Sequence, residues 1–483
     1  MLSSANFIAG RWVTGDSGST EVISPHTGKL LGTCTHASNT QIDQAIKAAD
    51  LAQKYWGKLP IKERSKVLFQ FRNLLLRDQD KIATLKASES GKTFDEAKAG
   101  LMKGIEVLEF ALAIQNLDLG GKIEVSRGVT GEYRREALGV VANITPFNFP
   151  AMVPLWTIPI CIALGNSYIW KPSDKTPLTA TLIAECLQEA GLPDGVFTVL
   201  HGGENTVNAI IDHPLVKAIG FVGSTKIAKL VYQRGTHLGK RVLALGGAKN
   251  HIILLPDANP ELTGIGISDS FTGCAGQRCM AASVLLAVGN VDQHIEKIIQ
   301  RAGSLEFNKT MGAIITRAQV DFLKEAISRA EKAGAKILLD GRLKKAPAGF
   351  EDGNWLGPTI IDHAKVGSEA ATFELFGPIL SIVRCKDLSE AMQIENSIEY
   401  GNACSVFTSS GAMAERVAKE ASTGMVGINI GVPVPREPFS FGGINASKFG
   451  HGDITGQHSL DFWSNMKKIT TKWESQSDSN WMS

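Results

Sequence analysis

Charge of one sign is what this 483-residue chain most lacks: 50 Lys and Arg stand against 48 Asp and Glu, a formal net charge of +2. That balance excludes a strongly basic nucleic-acid binder and a strongly acidic tail protein. Cysteine is scarce and badly arranged for cross-linking. The seven Cys, at 34, 161, 186, 274, 279, 385 and 404, are odd in number and irregularly spaced, with no Cys-x-x-Cys. A disulfide framework is therefore not expected; a reducing, cytoplasmic compartment is, with no metal site. The opening Met1–Gly15 has no basic region followed by a long apolar run, so no secretory or transit signal is read there. The one long stretch without a charge or a His runs from Leu138 to Trp170. Pro146, Pro150, Pro154 and Pro159 would break a spanning helix repeatedly, so it reads as buried strand and loop with a helix starting near its middle. Aromatics are only 7%, there is no internal repeat and there is no low-complexity segment.

What is present is ordinary globular material, 43% hydrophobic and 20% charged, with 49 Gly for many tight turns. The length suggests about two to four domains. Residues 40–119 repeat apolar positions every three to four residues and predict helices. Residues 122–145 shift toward strand. From 165 onward, strand and helix signals alternate through SYIWKPS, TATLIAECLQEAG, VFTVLHG and AIGFVGS, and again after residue 249, with ISDSFTGCAG as a helix. Alternation of this kind predicts βαβ units, parallel sheets and two α/β domains. The tail segment SLDFWSNMKKITTKW alternates like a strand suited to pair with 122–137, within the chain or across a subunit boundary.

Four short segments carry chemistry. In Gly276-Gln277-Arg278-Cys279-Met280 a guanidinium precedes a thiol, and a nearby cation favours the reactive thiolate. In Thr145-Pro146-Phe147-Asn148-Phe149-Pro150 two prolines rigidify a loop after a strand, and a fixed Asn148 amide suits a developing oxyanion. Trp170-Lys171-Pro172-Ser173-Asp174 and Gly223-Ser224 follow strands and precede helices, at the carboxyl edge where open α/β sheets bind ligands. Each segment alone is weak: most cysteines are inert and buried, and most loop asparagines satisfy backbone.

In this order and spacing, and together with Glu374-Leu375-Phe376-Gly377-Pro378 and Pro438-Phe439-Ser440-Phe441-Gly442-Gly443, these segments resemble the aldehyde dehydrogenase superfamily over nearly the whole chain. The resemblance implies two Rossmann-like parallel-sheet domains and a small antiparallel arm. Residues 1–121 and 138–245 would bind NAD, 246–440 would carry the nucleophile, and 122–137 with 462–483 would form the arm of a homodimer or homotetramer. It implies Cys279 as nucleophile, with Asn148 and the Cys279 N–H as oxyanion hole. Lys171 and Glu374 would hold the two riboses, Ser224 the pyrophosphate, and Phe376 the nicotinamide end. Thr145, Phe147, Ser173, Asp174, Gly223 and Leu245 complete the expected cofactor contacts. Asp174 would repel a 2′-phosphate, which favours NAD over NADP.

One departure decides the expected subclass. Hydrolytic members carry Glu-Leu-Gly-Gly-Lys, whose Glu activates water; here Leu245-Gly246-Gly247-Ala248-Lys249 puts Leu245 at that position, and a one-residue slip would put Ala244 there. Neither accepts a proton. Water without a base is a poor attacker of a thioester, whereas a thiol of pKa near 8.5 is already a few per cent thiolate at neutral pH. Gly-Ala-Lys-Asn-His, Gly-Gln-Arg-Cys-Met and Pro-Phe-Asn-Phe-Pro are similar to the coenzyme A-acylating methylmalonate-semialdehyde dehydrogenase branch. That resemblance implies NAD, coenzyme A as co-substrate, and a semialdehyde whose carboxylate is lost as CO₂. Arg278, Lys103 and Phe147 are the expected substrate contacts, with Arg436 a further cation on the same side. A hydrolytic enzyme releasing a free acid is the rival; a non-catalytic relative is disfavoured because Cys279 and Asn148 are both present. No nucleic-acid or membrane partner is expected.

Overall fold

The structure, a computed structural model, describes residues 2–117 and 120–473. Residues 474–483 of the expected arm, and 118–119 of the expected first domain, lie outside the described residues.

Five parallel strands form the centre of an eight-stranded sheet. Its order is Lys448–Phe449, Arg241–Leu245, Val216–Val222, Val140–Ile144, Ser167–Lys171, Phe197–Val199, Asn6–Ile8, Arg11–Val13. The middle strands are buried along their length (VVANI and SYIWK expose nothing), as a sheet covered on both faces requires. The chain leaves Val140–Ile144 in one direction and later returns to its other side through Val216–Val222. Such a reversal opens a crevice at the strands' carboxyl ends.

A second, seven-stranded sheet has the order Lys336–Leu339, Thr359–Asp362, Ile379–Cys385, Ala282–Val288, Asn250–Leu254, Ala403–Phe407, Met425–Ile428, parallel except for its first pair. A three-stranded antiparallel sheet joins Gly120–Ser126, Val129–Ala137 and Ser464–Lys472, so the tail pairs with the 120–137 hairpin within the chain. The first residues of the alternating tail segment are instead a short helix, Ser459–Trp463, packed into the core through Leu460, Phe462 and Trp463. Among the described residues no helix is long and apolar enough to cross a membrane; 138–170 holds two strands around two short helices, Met152–Leu155 and Ile158–Ala163.

One predicted helix ends early. Pro260–Thr272 is helical, started by Asn259, whose side chain accepts from the N–H groups of Glu261 and Leu262. Residues 274–276 then leave the helix: Cys274, Ala275 and Gly276 all have positive φ, at 52°, 53° and 70°. Two non-glycine residues in succession in the left-handed region are costly and persist only where the surroundings impose them. Gly276 lies so close to the 377–378 backbone that a Cβ there would sit 2.1 Å from the Gly377 carbonyl oxygen. Tertiary approach, which residue periodicity does not encode, overrides the helical pattern.

Candidate active site

This left-handed turn delivers Cys279. Gln277, buried behind it, donates from Nε2 to the Cys274 and Ala313 carbonyls and accepts at Oε1 from the Ile315 N–H. The Cys279 carbonyl accepts from Asn250 at 2.7 Å and from Asn402 at 2.9 Å. The position is thus held by Asn250, the first residue of one strand of the second sheet, and Asn402, the residue just before another. Of the seven cysteines, Cys279 alone is partly exposed; the other six are buried.

Two cavities meet at that sulfur. The first, of about 390 Å³, lies at the carboxyl ends of the first sheet's strands; its wall includes Phe147, Asn148, Gly223, Ser224, Gly246, Gly247, Glu374, Phe376 and Cys279. The sheet's reversal puts four distant segments there: the turns after Ile144, Val222 and Leu245, and the 373–376 segment of the second domain. Gly223 and Gly247 clear the space: a Cβ would lie 2.6 Å from the Phe221 ring or 2.2 Å from a Glu374 carboxylate oxygen. Ser224 heads the helix Thr225–His237, whose N-terminus favours a phosphate. A bare backbone cradle, a helix N-terminus, a carboxylate and two aromatic rings, Phe147 and Phe376, 6.0 Å apart, are a donor set that fits a dinucleotide.

Asn148 is buried on this wall and donates from Nδ2 to the Gln277 carbonyl at 3.0 Å, two residues before the thiol. Among the described residues that amide makes no other hydrogen bond. The remaining expected contacts lie behind the wall or beyond it. Thr145 is buried and accepts from Trp170 at 2.8 Å. Lys171 is buried at its strand end beside Asp174 and Cys34, and burial lowers its pKa. Ser173 accepts from the Lys175 N–H. Leu245 belongs to the first hydrophobic core and Ala244 is buried on the other face, so neither reaches the cavity.

The second cavity, of about 510 Å³, opens on the other side of Cys279. The 20-residue helix Phe94–Ala113 runs along it, presenting Glu96, Ala99, Gly100, Lys103, Glu106 and Val107 at helical spacing. Met152, Trp156, Glu437 and Phe441 close it, with the Trp156 and Phe441 rings 4.6 Å apart. Arg278 and Lys103 both line it, and each already has an acidic neighbour: Lys103 binds Glu106 at 2.7 Å, and Arg278 lies 4.0 Å from Glu96. Phe147 faces the first cavity, not this one, and Arg436 is exposed beside its wall-forming neighbour Glu437.

Burial pushes the Cys279 thiol up to about 12, with the charge of Glu374 raising it further; its own backbone N–H and Arg278 pull the other way. The thiolate that an adjacent arginine was expected to favour is therefore outweighed by desolvation in the unliganded cleft. The Arg278 guanidinium packs over Gly273, where a Cβ would sit 2.3 Å from its Cζ. Burial likewise raises Glu374 to about 7 and lowers the fully buried Lys249 to about 7; Lys249 donates to the Phe373 carbonyl at 2.8 Å.

Several wall residues carried no sequence signal. Gln319 and Phe322 come from the amphipathic helix Arg317–Lys332, and Gln319 donates to the Leu375 carbonyl at 2.8 Å. Glu106 and Glu437 look like solvated charges in sequence. The one available hint for Glu106 is its place three residues after Lys103 on a helix otherwise rich in small and apolar residues.

A cleft that fits a dinucleotide at a sheet reversal, joined through one accessible cysteine to a second cavity lined by apolar and charged side chains, defines an α/β oxidoreductase built around a thiol. Residues 12–469 match the aldehyde dehydrogenase family. Malonate-semialdehyde dehydrogenase 2 of Geobacillus thermodenitrificans (strain NG80-2) is 39% identical over 476 residues, 97% of this chain and 98% of that one. A methylmalonate-semialdehyde dehydrogenase from Oceanimonas doudoroffii has the same fold with a TM-score of 0.96 at 38% identity, covering 99% of both chains. A protein from Sinorhizobium meliloti 1021, solved in complex with NAD, also has a TM-score of 0.96, at 36% identity and 99% coverage of both chains. The chain belongs to the aldehyde dehydrogenase family and is an NAD-dependent oxidoreductase.

Proposed function

We propose that this enzyme oxidises a small semialdehyde bearing a carboxylate, malonate or methylmalonate semialdehyde, and transfers the resulting acyl group to coenzyme A. The Cys279 sulfur adds to the aldehyde carbon, giving a thiohemiacetal whose oxyanion faces the Asn148 amide and the Cys279 N–H. NAD held in the first cavity would supply the hydride acceptor for that carbon, and Cys279 would keep the oxidised acyl group as a thioester. The residues proposed to hold NAD are Ser224 and Gly223 at the pyrophosphate, Glu374 at the nicotinamide ribose, Phe147 and Phe376 at the nicotinamide end, and Lys171, Ser173 and Asp174 at the adenosine end, with Thr145 and Leu245 supporting the wall from behind. The substrate carboxylate lies toward Arg278, with Lys103 beyond it. Loss of that carboxylate as CO₂ from the malonyl or methylmalonyl thioester leaves an enolate, which takes up a proton from solvent to become an acetyl or propionyl group, and coenzyme A carries it away as acetyl-CoA or propionyl-CoA. The antiparallel sheet of 120–137 and 464–472 is the proposed subunit contact of a homodimer or homotetramer.

The observation that carries this reading is the environment of the thioester position. The residue aligned with the hydrolytic base, Leu245, is apolar and packed in the core, 4% exposed. The relatives' names point the same way. One observation favours release of the free acid instead: the Glu374 carboxylate shares the first cavity with Cys279. The experiment is product identification from both semialdehydes and a simple aldehyde, each with NAD, with and without coenzyme A. Acyl-CoA formation and a CoA-dependent steady state support the proposal; a free acid formed at a rate indifferent to coenzyme A overturns it.

A further inference from the structure

We infer that the Glu374 carboxylate accepts the thiol proton of the incoming acyl acceptor as that sulfur attacks the acyl group on Cys279, so that one residue faces the cofactor in the first half-reaction and moves a proton in the second. The inference rests on the thiol-acceptor reading above and deepens it.

Elimination is the first support. Besides Cys279 itself, Glu374 is the only titratable side chain among the described wall residues of the first cavity. The expected base position is filled by Leu245, buried in the core. The other carboxylates that share a cavity with Cys279 are Asp95, Glu96, Glu106 and Glu437; all lie on the far side and none lines the first cavity, and there Glu106 is held by Lys103 and Glu96 by the Cys274 N–H.

Placement is the second. Glu374 Oε1 accepts from the Ala248 N–H at 3.0 Å, which fixes the carboxylate. Among the described residues Oε2 accepts no hydrogen bond, and it sits over Gly247, 2.2 Å from where a Cβ would be. Only glycine at 247 leaves room for that oxygen. Lys249, fully buried, holds the preceding residue through the Phe373 carbonyl. The result is a carboxylate with one anchored oxygen and one free oxygen, in the cleft that empties when the reduced cofactor leaves.

Proton affinity is the third. With Glu374 raised to about 7 by burial, proton transfer from a thiol of pKa about 8.5 is uphill by about 30-fold, whereas transfer from water, near 15.7, is uphill by more than about 10⁸-fold. The same carboxylate therefore discriminates in favour of a sulfhydryl. The step balances without any further reagent. The acceptor S–H proton passes to Glu374 as its sulfur bonds to the acyl carbon. The bond from that carbon to the Cys279 sulfur breaks, and the Cys279 thiolate then takes the proton from Glu374.

The test isolates this step from cofactor binding. Cys279 is acylated with p-nitrophenyl propionate in the absence of NAD, and loss of the propionyl group on adding coenzyme A is followed by intact mass across pH. Wild type is expected to level off above about pH 7. E374Q is expected to be slower by about 10²-fold at pH 7, with a rate rising tenfold per pH unit toward the thiol's own pKa, and to be rescued by a more acidic thiol; E374D keeps the wild-type profile at reduced rate. Release of p-nitrophenol reports that each variant is folded. Equal rates and profiles in E374Q and wild type overturn the inference, as does a slowing independent of pH and of thiol acidity. Wild-type acyl-enzyme that loses propionate to water equally well without coenzyme A instead overturns the thiol-acceptor reading.

Discussion

The two cavities that meet at Cys279 are built by opposite means. The cofactor-side cavity is made largely of strand ends: its polar content is backbone, two side-chain amides, one hydroxyl and one carboxylate, and glycines create its space. The second cavity is made of one helix face and several remote segments, including 149–156, 274–280 and 432–441, and both its cations already have an acidic neighbour in the wall. A dinucleotide is recognised by rigid N–H groups that need no side-chain entropy, which suits turns fixed by a parallel sheet. A small acid is recognised by long cationic side chains, which must be held by acidic neighbours when no substrate is present. Substitutions on the first side should therefore act on chemistry, and on the second side on affinity and selectivity.

The largest effect is expected at the junction itself. Cys279→Ala should lower NADH formation by at least about 10⁴-fold, because a covalent nucleophile is removed, and a thiol reagent under native conditions should add once, at Cys279, by peptide mass mapping. Asn148→Ala should reduce kcat by about 10²–10³-fold with little change in KM; a loss confined to KM would place Asn148 in binding alone. Gly276→Ala forces a left-handed residue against the Gly377 carbonyl, and should lower stability by about 1–3 kcal/mol, read as a lower Tm, with activity reduced because the Cys279 turn shifts.

On the other side, Glu106→Gln frees Lys103. It should lower KM for a carboxylate-bearing semialdehyde by about 3–10-fold while leaving KM for an uncharged aldehyde and kcat nearly unchanged, as removing a half-exposed charge partner is worth about 1 kcal/mol. Indifference of both substrates would show that Lys103 is merely a solvated helix residue. The smallest effect is on the pH dependence of stability. Because the folded pKa of Glu374 is raised above its ordinary value to about 7, the folded state binds this proton more tightly, and the stability contribution falls as pH rises from about 4.5 to about 7. E374Q removes that penalty, so its Tm should exceed wild type at pH 8, and the difference should vanish near pH 4.5.

Local pattern made the first cavity legible. Asn148, Gly223 and Ser224 each follow an apolar strand and precede a helix, and strand-to-helix turns at the edge of a parallel sheet converge wherever the topology reverses. Cys279 was legible through its neighbours: the Arg278 charge does favour the thiolate, but burial outweighs it at the sulfur. The second cavity was mostly illegible. Glu437 and Glu106 lie 331 residues apart in sequence (437 − 106) and meet only because the tail loop folds over the helix Phe94–Ala113. The end of the helix at Thr272 was illegible for the same reason, since contact with residues 377–378, a hundred positions away, forces the turn.

By itself the sequence determined the alternation of buried strands and amphipathic helices, the family, and the absence of a carboxylate at position 245, because periodicity and side-chain identity are local properties. Only the tertiary structure decided that Cys279 is the accessible thiol, that burial dominates its proton affinity, that Glu374 lies in its cavity with one oxygen that accepts no hydrogen bond among the described residues, and that both cations of the second cavity are paired. Burial and proximity depend on which distant segments pack together, and they set proton affinity and exposure more strongly than the residues next door in the chain.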